Sequence, residues 1–205
     1  MIVGGLVHVV DDDESLRAAI GRLLRSVGYR VEMHASAISF ADQYVASEMP
    51  ACLLLDVRLP GISGLDFQSR LAKLGIDLPV VMMTGHGDIP MSVQAMKAGA
   101  VDFLPKHFRD QDLLDAVAAA LERSVAKAAK DRNLHDLRIR FETLSARERE
   151  VMGHVTQGRL NKQVAGDLVL SEVTVKVHRG AAMRKMGAKT LADLVKMSET
   201  LRVAG

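Results

Sequence analysis

The 205-residue sequence has one cysteine, no tryptophan, five prolines and no apolar run approaching the 18 or so residues that span a bilayer. Each scarcity excludes something. With Cys52 alone, inside the apolar run CLLL, no internal disulfide framework can form; the residue reads as a reduced core thiol of a cytoplasmic protein. The missing apolar span leaves no expectation of a membrane anchor. The opening MIVGGLVHVV carries no basic segment and runs straight into Asp11, Asp12, Asp13 and Glu14, so it reads as a first strand rather than a signal peptide. Few prolines with 25% charged and 48% hydrophobic residues argue against a disordered or collagen-like chain and for real cores. The length suits one large domain or two small ones.

The formal charge of +2 conceals an asymmetry. Residues 1–120 hold 10 Lys/Arg and 15 Asp/Glu, net −5; residues 121–140 hold 6 and 3, net +3; residues 141–205 hold 11 and 7, net +4. An acidic front with a basic tail suggests that the tail meets a polyanion while the front handles something else.

Five short apolar runs alternate with helix-period segments in the front part: residues 6–10, 29–33, 52–56, 78–84 and 101–104. Between them, Leu16, Ile20, Leu23, Leu24 and Val27 precede Gly28; Phe67, Leu71 and Leu74 precede Gly75; Val93, Ala95 and Met96 precede Gly99. Each group reads as an amphipathic helix closed by glycine. Strand and helix in alternation imply a parallel sheet covered on both faces, with the fully apolar third strand at its centre.

From residue 110 to 152 there is neither glycine nor proline. A helix is expected there, its apolar stripe of Leu113, Leu114, Val117 and Leu121 thinning after Val125 into a charged helical linker. The tail reads as four short helices. Ser145 and Glu148 form a capping box, with Gly158 ending that helix; a second spans residues 161–168; a third is capped by Ser171 and runs to Met186 before Gly187; Thr190 caps the fourth. Two short helices joined by a tight turn, the second basic, outline a helix-turn-helix. In that second helix Val173, Val177 and Met183 are expected inward, with Lys176, Arg179 and Gly180 outward.

In an open parallel sheet, ligands bind beyond the carboxyl ends of the strands. Asp11 and Asp12 end the first strand, Asp56 the third and Thr84 the fourth, while Lys106 follows the fifth. Three converging carboxylates repel one another unless a cation sits among them, and Mg²⁺ with its preference for oxygen suits phosphoryl chemistry. On this reading Asp56 is a nucleophile toward phosphorus, Lys106 pairs with one phosphoryl oxygen, and the Thr84 hydroxyl donates to another. Asp13 reads as a helix cap. Histidines 8, 34, 86, 135 and 154 show no metal-ligand spacing and receive no role.

The segments VHVVDDDES, LLLDVRLPGISGL, VVMMTGHGD and AGAVDFLPK resemble, in order and spacing, the receiver domains of two-component response regulators. The resemblance spans roughly residues 5–125 and implies a doubly wound, flavodoxin-like α/β fold. It further implies that Asp12 and Asp56 ligate Mg²⁺ directly, Asp11 through water, and the Arg58 backbone carbonyl completes the protein ligands. Phe103 matches the aromatic that turns inward when Thr84 moves toward the phosphoryl group. One position departs from the pattern: His107 follows Lys106 where relatives have a proline joined by a cis bond, and Pro105 precedes it. A cis bond before a non-proline residue costs about 2.5–4 kcal/mol, so either strain is retained or the loop rearranges.

LSAREREVM, GRLNKQVAGDLVLSEVTVKVHR and MRKMGAKTLADLV resemble the all-α, four-helix effector of LuxR and NarL type regulators, in its FixJ-like branch. This implies that Lys176 and Val177 reach base edges, that Asn161, Lys162, Thr174, His178 and Arg179 hold the DNA backbone, and that the last helix joins two protomers.

The expected organisation is a receiver over 1–125, a helical linker over 126–142 and a helix-turn-helix domain over 143–205. The expected function is a cytoplasmic transcriptional response regulator. A sensor histidine kinase is expected to phosphorylate it at Asp56, and it is expected to bind promoter DNA as a homodimer on phosphorylation, with RNA polymerase as a further candidate partner. It is not expected to be an enzyme beyond its own phosphoryl transfer and slow dephosphorylation. Two rivals are a phosphorylation-independent DNA-binding protein, disabled at His107, and an aspartate-nucleophile phosphohydrolase. The latter calls for a second Asp two residues after the nucleophile, where Arg58 stands.

Overall fold

A computed structural model describes residues 4–85 and 89–203. The chain divides into two compact units, residues 1–127 and 128–205.

In the first unit the chain runs β1 (Leu6–Val10), α1 (Glu14–Ser26), β2 (Arg30–His34), α2 (Ala37–Gln43), β3 (Ala51–Asp56), α3 (Gly64–Arg70) with a following 3₁₀ turn (Leu71–Leu74), β4 (Val80–Thr84), α4 (Ile89–Lys97), β5 (Asp102–Pro105) and α5 (Asp110–Glu142). The strands pair in parallel in the order β2-β1-β3-β4-β5. Alternation along each strand builds two cores. Val7, Val9, Cys52, Leu54, Val81 and Met83 face Ile20 and Leu24 of α1 and Leu113, Val117 and Leu121 of α5. Val10, Leu53, Leu55, Val80 and Met82 face Phe40, Phe67, Leu71 and Ala95 on the other side. Every residue of β3 is buried, as its central place requires. Truncating a core leucine such as Leu54 costs about 2–5 kcal/mol. Cys52 lies in this core, and burial pushes its thiol up to about 12.

The apolar stripes read from sequence are too wide. Val27, Leu74, Val93 and Met96 are exposed, while Ile20, Leu24, Phe67, Leu71 and Ala95 reach the core. Helix α1 begins where its cap dictates: Asp13 accepts hydrogen bonds from the Ser15 and Leu16 amides at 2.9 and 3.0 Å. Because strand order turns between β1 and β3, the loops after these two strands border one crevice.

Helix α5 continues unbroken to Glu142, and the second unit adds α6 (Ala146–Val155), α7 (Asn161–Leu168), α8 (Glu172–Met186) and α9 (Leu191–Val203). The segment expected to be a linker contributes to packing: Leu137 is buried in the core of this unit and Phe141 packs against it. Val151, Met152, Val155, Val164, Val175, Ala182, Met186 and Leu194 complete that core. The capping box forms, with Ser145 N–H donating to Glu148 Oε2 at 2.8 Å and Glu148 N–H donating to Ser145 Oγ at 3.3 Å. Helix α6 ends at Val155, capped by Thr156, three residues before the expected glycine stop.

The face of α8 differs from expectation. Val175, Ala182 and Met186 point inward, whereas Val173 and Val177 are 73% and 63% exposed. Spacings of seven and four hold one helical face, and a step of two residues turns about 200° around the axis. Met183 packs partly on the core as read. Lys176 is exposed, but Arg179 and Gly180 are half-buried rather than outward.

Candidate functional site

The crevice collects its polar groups from strand ends. Asp11 is fully buried after β1, Asp12 beside it is exposed, Asp56 ends β3 buried, and Thr84 ends β4 buried. One oxygen from each of Asp11, Asp12 and Asp56 lies within 4.8 Å of the others. Lys106, following β5, brings its ammonium 2.6 Å from Asp56 Oδ2 and 3.0 Å from Asp11 Oδ2. Only the contact to Asp56 is an aligned hydrogen bond; Asp11 Oδ2 is an ion-pair partner with no hydrogen bond of its own.

Backbone donors fix the other oxygens. Asp11 Oδ1 accepts from Asp13 N–H at 2.9 Å, and Asp56 Oδ1 accepts from Arg58 N–H at 3.1 Å. Arg17 donates to the Asp11 carbonyl at 2.6 Å, holding the acidic loop against α1. Burial pushes the Asp11 carboxyl above its ordinary value and the Asp56 charge adds to this, against the pull of Lys106 and the Asp13 amide. Burial lowers the Lys106 ammonium, yet its two carboxylate partners win and its pKa stands above the ordinary lysine value. Among the described residues, the crevice is thus an oxygen-rich anion cluster with the Lys106 cation at its rim.

The basic helix has its own constellation. Ser171 caps α8, its Oγ accepting from Thr174 N–H at 3.0 Å and lying 2.8 Å from Thr174 Oγ1. Between α7 and α8, Val169 adopts a left-handed conformation with φ 53°. Arg179 donates to Asn161 Oδ1 at 3.1 Å, tying the middle of α8 to the first residue of α7. Lys176 and Val177 stand exposed side by side, Lys162 is exposed at the start of α7, and His178 is half-buried.

Two family models match the chain: the response regulator receiver domain over residues 7–118 and the luxR family of bacterial regulatory proteins over residues 142–198. Nodulation protein W of Bradyrhizobium diazoefficiens is 54% identical over 202 residues, covering 97% of this chain and 87% of that protein. The transcriptional regulatory protein FixJ of Rhizobium meliloti is 43% identical over 192 residues, covering 94% of each. The solved structure of the response regulator StyR superposes with a TM-score of 0.77 at 42% identity, covering 97% of this chain and 99% of that one. The chain belongs to the two-component response regulators with a LuxR-type effector domain.

As a DNA-binding response regulator of this family, the chain is regulatory rather than a metabolic enzyme. Its departure at His107 is resolved by rearrangement. Among the described residues no peptide bond is cis, and His107 takes a left-handed conformation with φ 84°. The turn leaves His107 exposed, while Lys106 N–H donates to the Thr84 carbonyl at 2.5 Å and keeps the lysine on the sheet edge. Phe103 is half-buried against the core beneath β4 and β5. Among the described residues, no helix is long and apolar enough to cross a membrane.

Sequence reasoning missed two contributors to the crevice, Gly64 and Arg17, and a separate cluster of histidines. A Cβ on Gly64, the first residue of α3, would overlap the Asp56 carbonyl, so only glycine lets α3 seat beneath the acidic loop. Arg17 carried no signal beyond its charge. His8 and His34, given no role, gather with Glu32 on the face of the sheet beneath α2. Of the other histidines, His135 is exposed, His154 Nδ1 lies 3.7 Å from Asp167, and His86 lies outside the described residues.

Proposed function

We propose that Asp56 is the phosphoacceptor of this response regulator and that its phosphorylation by a sensor histidine kinase controls DNA binding by the C-terminal domain. The observation that carries this reading is the Lys106 ammonium bridging Asp56 and Asp11, with the Thr84 side chain buried at the next strand end. The donor set fits Mg²⁺: three carboxylates converge, two of them buried. Asp12 and Asp56 would hold the ion directly, Asp11 through water, with the Arg58 carbonyl as a further ligand. Bound there, Mg²⁺ supplies positive charge that offsets the carboxylates and the incoming phosphoryl oxygens.

The residues divide the work. An Asp56 carboxylate oxygen forms a bond to phosphorus as the bond between phosphorus and the donor's imidazole nitrogen breaks, giving an aspartyl phosphate. Lys106, released from the carboxylate, pairs with a phosphoryl oxygen as a point charge. The Thr84 hydroxyl donates to another phosphoryl oxygen, an attraction available only after phosphorylation, and Phe103 follows into the space it leaves. The direct Lys106–Asp56 contact supports a working receiver despite His107. Arg58, in the position where a phosphohydrolase needs an acid, supports storage of the phosphoryl group rather than turnover.

In the effector, Lys176 and Val177 reach base edges from α8, and Asn161, Lys162, Thr174, His178 and Arg179 hold the DNA backbone. Phosphorylation favours a homodimer joined in part through α9, and two linked half-site binders gain affinity from avidity without new base contacts. RNA polymerase is a further partner, and the compartment is the cytoplasm. We assign the receiver to residues 1–125, the linker to 126–142 and the effector to 143–205. Intact-mass measurement after incubation with Mg²⁺ and acetyl phosphate tests the first step: one phosphoryl adduct is expected on the wild type and none on Asp56→Asn. Equal labelling of both proteins contradicts the assignment.

A further inference from the structure

Two imidazoles lie buried on the face of the sheet opposite α1, where the established chemistry of the domain makes no use of them. Parallel register sets His8 of β1 directly across from Glu32 of β2, and the next residue along that face of β2 is His34. His8 and His34 are only 1% and 4% exposed. None of their four ring nitrogens makes an aligned hydrogen bond, although His8 Nδ1 lies 3.3 Å from Glu32 Oε2 and Gln43 approaches His34. Buried polar atoms without aligned partners are uncommon, and several in one place point to a bound ligand. The Phe40 and Tyr44 rings pack against the imidazoles and supply no acceptor that satisfies them.

The spacing admits a metal ion. One ligand atom from each of His8, Glu32 and His34 lies within 4.8 Å of the others, and His8 Nδ1 is 3.3 Å from Glu32 Oε2. A tetrahedral zinc with Zn–N and Zn–O near 2.0–2.1 Å separates its ligand atoms by about 3.3 Å. We propose that His8, His34 and Glu32 form a binding site for one divalent transition-metal ion of the zinc type, with water completing the shell. Two nitrogens and one carboxylate select such an ion over Mg²⁺, which belongs with the all-oxygen crevice. Burial lowers the pKa of both imidazoles, against the opposing charge of Glu32, which favours the neutral form that a metal ion needs. Gln43 approaches His34 from α2 as an outer partner, and the exposed Glu32 side chain provides a route from solvent.

The site adjoins the crevice. The His34 carbonyl accepts from Asp11 N–H at 3.3 Å, so an ion held by His34 stiffens the strand end that carries the acidic pair. The spacing of 24 and 26 residues from His8 to Glu32 and His34 hides the cluster in the sequence; only strand register reveals it.

Equilibrium dialysis of the full chain against ZnCl₂, with excess Mg²⁺ filling the acidic crevice, tests this directly. One zinc per chain is expected, with the visible absorption of a tetrahedral nitrogen-ligated ion after Co²⁺ substitution. Glu32→Gln, at an exposed position, is expected to fold and to weaken zinc binding by about tenfold or more. His34→Gln is expected to abolish the Co²⁺ spectrum, and Asp56→Asn to leave it unchanged. A wild type that binds no zinc overturns the proposal, as does zinc affinity unchanged by Glu32→Gln or a Co²⁺ spectrum retained in folded His34→Gln.

Discussion

The first residue of α3, Gly64, packs its Cα hydrogens against the backbone carbonyl of Asp56, leaving no room for a side chain. Gly64 N–H also donates to the Val57 carbonyl at 2.8 Å, so α3 and the loop after β3 are locked at two adjoining points. Asp56 is therefore positioned by a helix start as well as by its strand. Gly64→Ala must push the Asp56 backbone away from Lys106. We expect a loss of about 1–3 kcal/mol of receiver stability, the cost of overpacking a close contact, together with reduced phosphoryl uptake. Chemical denaturation and intact mass on the same preparation check both.

His107 holds a backbone conformation that suits glycine better than an L-residue with a side chain. The left-handed region costs such a residue about 1–2 kcal/mol, while glycine gives back about 0.5–1 kcal/mol through the entropy of the unfolded chain. His107→Gly is expected to raise receiver stability by about 0.5–1 kcal/mol. Phosphoryl uptake should persist, since Lys106 is held by its own N–H and by Asp56 rather than by the histidine side chain. Calorimetry of the variant, with the acetyl phosphate assay alongside, checks both statements.

Glu148 joins a capping box to a tertiary ion pair, accepting from Lys185 Nζ at 2.6 Å while Lys185 also donates to the Thr143 carbonyl at 3.1 Å. Lys185 and the Ser145 amide hold the Glu148 carboxyl below its ordinary value. A depressed carboxylate contributes stability above its unfolded pKa, near 4.3, and loses it as the pH falls through the lower folded value. Glu148→Gln keeps the cap and loses the charge, so the C-terminal domain should weaken by about 0.5–1 kcal/mol at pH 7. The gap should narrow toward pH 3. Urea unfolding at the two pH values measures it.

Base reading and backbone holding separate by salt dependence. On DNA selected from a random pool, Lys176→Ala should cost about 1–3 kcal/mol on the preferred sequence and relax the preference at one position. Lys162→Ala should weaken binding to all sequences and lower the salt slope by about 1. Arg179→Ala frees Asn161 and should resemble Lys162→Ala in its indifference to sequence.

Much of this molecule is legible in its sequence because local rules decide it. Strands β1 to β5 lie within two residues of their apolar runs, and Asp13, Ser145 and Ser171 cap the helices their side chains announce. Asp11, Asp12, Asp56, Thr84 and Lys106 share one crevice because each ends or follows a strand of a parallel sheet. What escaped depends on contacts between distant segments. Gly64 is required by the carbonyl of Asp56 rather than by any turn, and the His8–Glu32–His34 group exists only through strand register. In α8 the valines at 173, 175 and 177 are equally apolar, and only the packed core chooses Val175 as the inward one.

The most direct test of the account is DNA affinity by fluorescence anisotropy for the wild type and Asp56→Asn, each with and without acetyl phosphate and Mg²⁺. The account predicts that phosphorylation tightens wild-type binding by about tenfold or more through dimerisation, while Asp56→Asn stays at the basal affinity in both conditions. Equal affinity for phosphorylated and unphosphorylated wild type would contradict it and leave DNA binding independent of the receiver.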